Sequence, residues 1–312
     1  MRIRSLISIA SASFLLSACG PGRHPVTPDT HIPSDTPRTT IVSPSEPPPQ
    51  PTRVNLPDLS AAFQYILQRE AQQGHEIRAI GIGEVHKQIS STLVSTLQLI
   101  ARNVLPDLAD AGFQDLVWEH FPSGDLAAQE AESFYQSGHF GPFLSEFFRY
   151  YFDYCGIVEV LQQAHASGLE VHGCHASSVE EYRTNLMDLG YIVNERQLET
   201  SVPLLRQGRR IVIISGARHN DFQSSDNIDY IPFGITLHRW FREGFVSIDV
   251  LLPEAIETIP RPQDLGLGDW QALVPASGVE VIYREPGSYA VMLARSQEPV
   301  TETIPQAVPV CD

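Results

Sequence analysis

Short apolar runs alternate with longer stretches of helical periodicity along most of this chain. In one such stretch Leu93, Leu97, Ile100 and Val104 recur at steps of three or four residues, which is the period of an amphipathic helix. The short apolar runs, such as 211–214, have the length of buried strands. Strands that alternate with helices of this length indicate βαβ units and a parallel sheet.

The same pattern predicts the order of the main elements. A helix is expected over about Ser60 to Gln73 with Gly74 just past its end, and Ser178 to Glu181 has the spacing of a capping box. Further helices are expected near 157–167 and 196–206, a strand over 245–252, and a hairpin of 279–283 with 289–294 around Pro286-Gly287. The predicted fold class is α/β, with a mainly parallel central sheet flanked by helices, an aromatic helical insert and a C-terminal β-hairpin.

The first eighteen residues have the order of a secretory signal. Arg2 and Arg4 precede an apolar stretch over 6–16 that is too short to span a membrane. It ends in Leu16-Ser17-Ala18-Cys19, which resembles the lipobox of bacterial lipoproteins; the alternative is an ordinary secretory signal that contains a cysteine. The resemblance implies acylation of Cys19, a lipid anchor in the bacterial cell envelope, and, from Gly20, the outer membrane.

Composition divides the rest of the chain in two. Residues 19–55 carry ten prolines and no apolar periodicity, so we expect a disordered linker, followed by a single domain over 56–312. The formal charge of −16 makes nucleic acid an unsuitable partner. Once Cys19 is lipidated, Cys155, Cys174 and Cys311 remain, and the sequence leaves their disulfide pairing open.

Four of the strand-like runs end at clusters of His and Glu. These ends are Gly83-Glu84-Val85-His86, Glu119-His120, His172 with His175, and Gly216-Ala217-Arg218-His219. Ligands of open parallel sheets bind at the carboxyl ends of the strands, so side chains far apart in sequence can converge there. The candidate site residues are therefore Glu84, His86, Glu119 and His219, with Arg218 beside them.

Two chemistries suit this set of residues. Glu84, His86, Glu119 and His219 could hold a divalent transition metal that activates water. Without a metal, a His polarised by Glu could take the proton from an attacking water, and Arg218 could stabilise a developing oxyanion.

Several residues near these strand ends are ambiguous. Glu119 and His120 are neighbours on or just past a strand and point to opposite faces unless the strand has ended, so we expect only one in the site and favour Glu119. His172 and His175 do not have the helical spacing of a metal pair and are interpreted as structural.

Ten aromatic residues fall within 134–154. They are Phe134, Tyr135, Phe140, Phe143, Phe147, Phe148, Tyr150, Tyr151, Phe152 and Tyr154. One interpretation is a helical insert that packs its rings onto the sheet. The other is a wall over the strand ends that contacts an apolar or planar ligand.

The motifs Gly83-Glu84-Val85-His86 and Gly216-Ala217-Arg218-His219, with Glu119 between them, resemble a superfamily that joins TIKI and TraB proteins, erythromycin esterases and ChaN-type haem-uptake lipoproteins. The chain is most similar to the ChaN-like branch, over about residues 77–250. The segment 231–235 after the second motif also fits that branch.

This resemblance implies two functions. TIKI-like members imply a metal-dependent hydrolase of peptides or esters that uses Glu84, His86, Glu119 and His219, while erythromycin-esterase-like members imply the same residues without a required metal. ChaN-like members imply haem or iron binding without catalysis, with haem as the alternative cofactor. The expected partners are a membrane, through the lipid anchor, and a small-molecule or peptide ligand.

Overall fold

The computed structural model describes residues 53–85, 94–149, 153–184, 189–222, 232–259 and 262–296. These residues belong to one compact unit that spans Pro49–Asp312. The predicted signal peptide, Cys19, the linker up to residue 52, His86 and Cys311 lie outside the described residues, while residues 53–55 at the end of the predicted linker belong to a strand. Within the described ranges, no helix has the length and apolar character needed to cross a membrane.

The centre of the fold is an eight-stranded sheet in the order β1-β7-β8-β6-β2-β5-β3-β4. Its strands are β1 (Arg53–Leu56), β2 (Ala79–Glu84), β3 (Asp115–Pro122), β4 (Glu170–His175), β5 (Ile211–Gly216), β6 (Phe245–Leu251), β7 (Val279–Glu285) and β8 (Ser288–Leu293). Every neighbouring pair from β8 to β4 is parallel, and β7 pairs antiparallel with both β1 and β8. The predicted α/β class, parallel sheet and C-terminal hairpin are confirmed.

Helices connect the strands and cover both faces of the sheet. They are α1 (Leu59–Gln72), α2 (Thr96–Asn103), α3 (Leu105–Asp110), α4 (Asp125–Ser137), α5 (Pro142–Phe148), α6 (Tyr154–Ala166), α7 (Val179–Thr184), α8 (Leu189–Arg206), α9 (Phe233–Phe241) and α10 (Pro253–Ile256).

Local sequence signals account for where several helices begin and end. Asp58 caps α1 by accepting from the amide of Ala61, and Gly74 follows the helix with a φ of +84°. Ser178 caps α7 through the amide of Glu181, as the capping-box spacing predicts.

The two faces of the sheet are separated by strand alternation. On β2, Ile80 and Ile82 face the larger core beneath α1, α2, α3 and α6. Ala79 on β2 and Ile213 on β5 face the smaller core beneath α8 and α9. This alternation decides on which side of the sheet each strand-end side chain lies.

Three of these elements, β1, α9 and the four-residue helix α10, were not predicted. β1 is a four-residue edge strand whose exposed and half-buried alternation is too short to stand out from the proline-rich segment before it. α9 begins after Pro232, and its apolar residues Phe233, Ile235 and Leu237 read as readily as strand alternation as helical periodicity.

The aromatic insert follows the packing interpretation. All seven of its described aromatics lie in the larger core or pack against it; Tyr150, Tyr151 and Phe152 are outside the described residues. One contact also fits the wall interpretation, because the ring of Phe147 meets the ring of His175 edge-on at 5.3 Å. The insert therefore reaches the last residue of β4 while serving mainly as core.

Candidate functional site

Glu84, Glu119 and His219 lie at the carboxyl ends of three adjacent strands. Glu84 ends β2 and pairs in register with Gly216, which ends β5, while Glu119 lies in the last half of β3 on the other side of β5. His219 follows β5 in a short 3₁₀ turn. All three side chains are buried, and His86, the fourth predicted member, lies outside the described residues.

Glu84 pairs with His120. Nε2 of His120 lies 3.0 Å from Oε1 of Glu84, and both side chains are buried. The ring of His120 also meets the ring of Trp118 edge-on at 6.2 Å. The expectation that only Glu119 of the neighbours 119 and 120 enters the site stays a prediction, although His120 contacts the strand-end carboxylate of Glu84.

Glu119 pairs with His219. Its Oε2 accepts a hydrogen bond from the amide of Gly216 at 2.7 Å, which ties β3 to β5. Its Oε1 is 3.7 Å from Nε2 of His219. That distance is longer than a hydrogen bond and leaves a gap between an acceptor and an imidazole.

Asn194 on α8 determines which nitrogen of His219 carries the proton. Its Oδ1 accepts from the amide of Phe233 at 2.9 Å, so its other polar atom must be the NH₂ group. This NH₂ group lies 2.8 Å from Nδ1 of His219 and donates to it. Nδ1 is therefore the acceptor, and the neutral ring carries its proton on Nε2, facing Glu119.

His175 is held in the same tautomer by the backbone. Its Nδ1 accepts from the amide of Ala176 at 2.7 Å, which leaves the proton on Nε2. Burial lowers the pKa of His175 to about 4; the charge of Glu119 opposes the shift, while His120 and Arg196 add to it. His175 is thus a neutral N–H donor near Glu119, whereas the sequence interpretation gave it only a structural role.

His172 has the structural role that the sequence predicts. It bonds the fully buried Asp115 at 2.8 Å, near the amino end of β3 and away from the Glu/His edge. Cys174 is a free, buried thiol whose pKa burial raises well above its ordinary value, while Cys155 is disulfide-bonded. A bond between Cys155 and Cys174 is therefore excluded.

Two glycines of β2, Gly81 and Gly83, make room for neighbouring residues that pack closely against the strand. A Cβ on Gly81 would lie 2.7 Å from Oδ1 of Asn220. A Cβ on Gly83 would lie 2.1 Å from Oδ1 of Asp249 and 2.7 Å from Cα of Ala217. The motif thus uses glycine for close packing at the strand ends, not for binding phosphate.

A buried charged cluster adjoins these glycines. Arg284 on β7 donates to Oδ2 of Asp249 at 2.7 Å and to the carbonyl of Tyr289 at 2.9 Å, and its Nη1 lies 3.8 Å from Oδ1 of Asp221. Burial raises the pKa of Asp221 to about 8; neighbouring Asp249 adds to the rise, and Arg284 and Arg218 oppose it. One guanidinium from the C-terminal hairpin therefore faces two carboxylates beside the site.

Arg218 is half-buried and close enough to Asp221 for its charge to lower that pKa. Its predicted role at a developing oxyanion stays a prediction. Asn194 and Arg284 were missed by sequence reasoning because each comes from a distant element and neither belongs to a local motif. The only available signal was Asn220-Asp221 directly after His219.

A group that could bind a metal lies at the other end of the sheet. Ligand atoms of Asp115, Glu170 and His172 are within 4.8 Å of one another. Arg209 donates to both oxygens of Asp115 at 2.6 Å and to Glu170 at 3.0 Å. The guanidinium already neutralises these carboxylates, so a cation would have to displace it.

The donor pattern at the Glu/His edge does not suit a metal ion on His219. A ligating Nε2 needs its lone pair, and the proton would then have to sit on Nδ1. Asn194 imposes the reverse arrangement. Among the described residues, Glu84, Glu119 and His219 also do not form a group of three mutually close ligand atoms. We therefore derive no reaction step through a metal.

No protein-family model and no curated protein matches the sequence. A solved bacterial protein toxin is 21% identical with a TM-score of 0.40, and the match covers 62% of this chain and 36% of the toxin. A Bacillus cereus protein is 11% identical with a TM-score of 0.46, covering 64% of this chain and 72% of that one. A MARTX toxin effector domain from Vibrio vulnificus, RRSP, is 22% identical with a TM-score of 0.38, covering 56% and 33%. These values describe a distant likeness, and the chain spans only about a third of either toxin.

Proposed function

We propose that this protein hydrolyses ester or amide bonds at the carboxyl ends of β2, β3 and β5. One observation carries the proposal: two buried Glu–His pairs, Glu84 with His120 and Glu119 with His219, occupy neighbouring strand ends. Carboxylates and imidazoles at that edge can move protons to and from water and a leaving group. The resemblance to erythromycin esterases and TIKI proteins supports the same reaction class.

Glu119 is the proposed base and His219 the proposed electrophile. At a separation of 3.7 Å, Oε1 and Nε2 are close enough for one water or carbonyl oxygen to contact both. Glu119 takes a proton from water as the water oxygen bonds to the carbonyl carbon, and the Nε2–H of His219 donates to the developing oxyanion. When the carbon–heteroatom bond breaks, Glu119 returns its proton to the departing alcohol or amine.

The Glu84–His120 pair is proposed to bind and orient substrate beside this centre. Glu84 polarises His120 through the contact of 3.0 Å. His86 follows Glu84 by two residues in the same motif and stays a predicted member of the site.

The proposal is tested with p-nitrophenyl esters of increasing acyl length and a library of fluorogenic peptides. Glu119→Gln and His219→Ala are expected to lower kcat at least 100-fold on any substrate that is turned over. His139→Ala, an exposed histidine on the same chain, is the control. Turnover that survives both site substitutions would sink the proposal, as would a wild-type protein that is inert on the whole panel.

Metal dependence, which the TIKI resemblance implies, is tested in the same assay. Chelator treatment followed by metal analysis should leave kcat unchanged if Glu119 and His219 work as described. A loss that is restored by a divalent transition metal would support the metal-dependent version, with His86 among the ligands.

Haem binding is the second candidate, favoured by the contact between Phe147 in the insert and His175. The described tyrosines of the insert are poorly suited to bind iron as tyrosinates. Burial raises the pKa of Tyr135 to about 12, and it raises the pKa of Tyr154 as well. A haem titration with no Soret shift would remove this candidate.

We further propose that Cys19 carries the lipid anchor and that the domain works in the cell envelope. The order of basic residues, apolar stretch and cysteine supports this location. The disulfide at Cys155 is consistent with an oxidising compartment. Metabolic labelling with a fatty acid, lost in Cys19→Ala, is the test.

A further inference from the structure

A cavity of about 430 Å³ lies at the edge of the sheet opposite the Glu/His site. It is bounded by residues just before β2, β6 and β8 and by the turn between β7 and β8. Six ionisable side chains line it: Glu70, His75, His238, Arg239, Arg242 and Glu243. The volume falls within the range of about 300–1,000 Å³ that is typical of small-molecule sites.

The buried wall of this cavity is already paired. Glu70 accepts the hydroxyl of Tyr289 and lies 2.6 Å from Nδ1 of His75. Its carboxylate therefore makes fixed contacts within the protein. Glu243 is exposed and approaches His75 only to 4.0 Å.

The cationic wall is not paired in this way. In the part of the chain that the structure describes, Arg239 and Arg242 make no ion pair or side-chain hydrogen bond, although the protein has a formal charge of −16. Nδ1 of His238 is buried without a hydrogen-bond partner among the described residues, and its ring stacks on Phe222 at 4.2 Å. Two exposed guanidinium groups that have no partner among the described residues thus line one cavity.

Arg242 also holds a backbone conformation that favours glycine. Its φ is +44° and its ψ is −117°, and it is the sole non-glycine residue with positive φ in the described ranges. Such a conformation costs stability and persists where the surroundings or a function require the side chain. A glycine would remove the strain and also the guanidinium.

We propose that this cavity binds a small molecule through an oxyanion group, a carboxylate or a phosphate. Arg239 and Arg242 present the planar guanidinium groups that bind such oxyanions in a bidentate manner. His75 and His238 also line the cavity. The site is separate from the proposed hydrolase centre, so the two proposals stand or fall independently.

The test is isothermal titration of the purified full chain with inorganic phosphate and, separately, with succinate. Saturable binding of one of them is expected, weakened about tenfold or more by Arg239→Ala or Arg242→Ala. Arg206→Ala is the matched control, because Arg206 is also an exposed arginine in the last turn of a helix and does not line the cavity. Absence of saturable binding with both probes would overturn the proposal, as would an equal loss in Arg206→Ala.

Arg242→Gly separates binding from backbone strain. The variant is expected to raise the midpoint of thermal unfolding while losing affinity for the probe, because glycine adopts positive φ without strain. A higher midpoint of thermal unfolding together with a weaker affinity for the probe supports a ligand-binding role for Arg242. Wild-type affinity in Arg242→Gly would overturn it.

Discussion

At the scale of single residues, the amide of Asn194 determines what His219 can do. Asn194→Asp keeps the shape of the side chain but replaces its NH₂ donor with a second acceptor oxygen. The amide of Phe233 would still donate to one oxygen, and Nδ1 of His219 would have to carry a proton to bond the other. The tautomer would reverse, and Nε2 would present a lone pair to Glu119. We expect kcat to fall at least about 100-fold, with the tautomer change visible in ¹⁵N NMR of His219.

The same substitution distinguishes the two mechanisms of hydrolysis. If a metal bound to Nε2 were required, Asn194→Asp would improve metal binding and activity instead of abolishing them. Asn103→Asp is the control, because Asn103 bonds only the carbonyl of Leu99 within α2. A rise in activity in Asn194→Asp would refute the donor role of His219.

Gly83 is a residue at which packing leaves no room for a side chain. Its missing side chain leaves space for Asp249 and Ala217, and neither Asp249 nor the backbone of Ala217 can withdraw easily. Gly83→Ala is expected to lower the free energy of unfolding by about 1–3 kcal/mol. In Gly244→Ala the new Cβ would meet its nearest neighbour at an ordinary 3.5 Å, so this control should be tolerated in urea unfolding.

At the scale of elements, the C-terminal hairpin contributes a charge to the edge of the site. Arg284 on β7 neutralises Asp249 on β6 and approaches Asp221, which follows β5 in the chain. Arg284→Met leaves Asp249 buried and unpaired, which should cost about 3–5 kcal/mol in chemical unfolding. Asp249→Asn in the same chain should recover part of that loss, since the unpaired charge is then gone.

Arg53→Met is the matched control, because it removes a surface ion pair to the same hairpin. Arg53 bridges β1 to Glu280 on β7 at 2.8 Å but is 47% exposed, so its loss should cost at most about 1 kcal/mol. Equal losses in the two single variants would contradict a special role for the buried cluster.

At the scale of the whole molecule, the sequence predicted the architecture but not the pairing of side chains. Glu84, Glu119 and His219 lie at one edge of the sheet as predicted, because the carboxyl ends of parallel strands meet there. Their partners depend on which face each last residue occupies, and β3 shifts register between Trp118 and Pro122. No periodicity in a single sequence shows such a shift.

The residues that complete the site could not be found for a related reason. Asn194 reaches His219 from α8, and Arg284 reaches Asp249 from a hairpin that joins the sheet beside β6. The contact of Arg284 depends on the order of the strands in the sheet. Because β8 pairs with β6 and β7 pairs with β8, β7 lies close to β6. The local pattern predicts a hairpin but not its neighbour.

The burial of His175 makes the stability of the whole domain depend on pH. Its pKa falls from 6.5 to about 4 on folding, so between these values the unfolded chain binds a proton that the folded chain excludes. The contribution of His175 to the free energy of unfolding is therefore complete above pH 6.5. It declines as the pH falls toward 4, by at most about 3 kcal/mol. Asp221 acts in the opposite direction. Its raised pKa stabilises the folded state at low pH, and this stabilisation is lost as the pH rises toward 8.

Comparing wild type with His175→Gln cancels the contribution of Asp221, and the Gln side chain can still accept a hydrogen bond from the amide of Ala176. The difference in unfolding free energy between the two proteins should change with pH only below about 6.5, whereas His139→Gln should track the wild type throughout; a constant difference from pH 7 to 4 would show that His175 titrates normally in the folded protein.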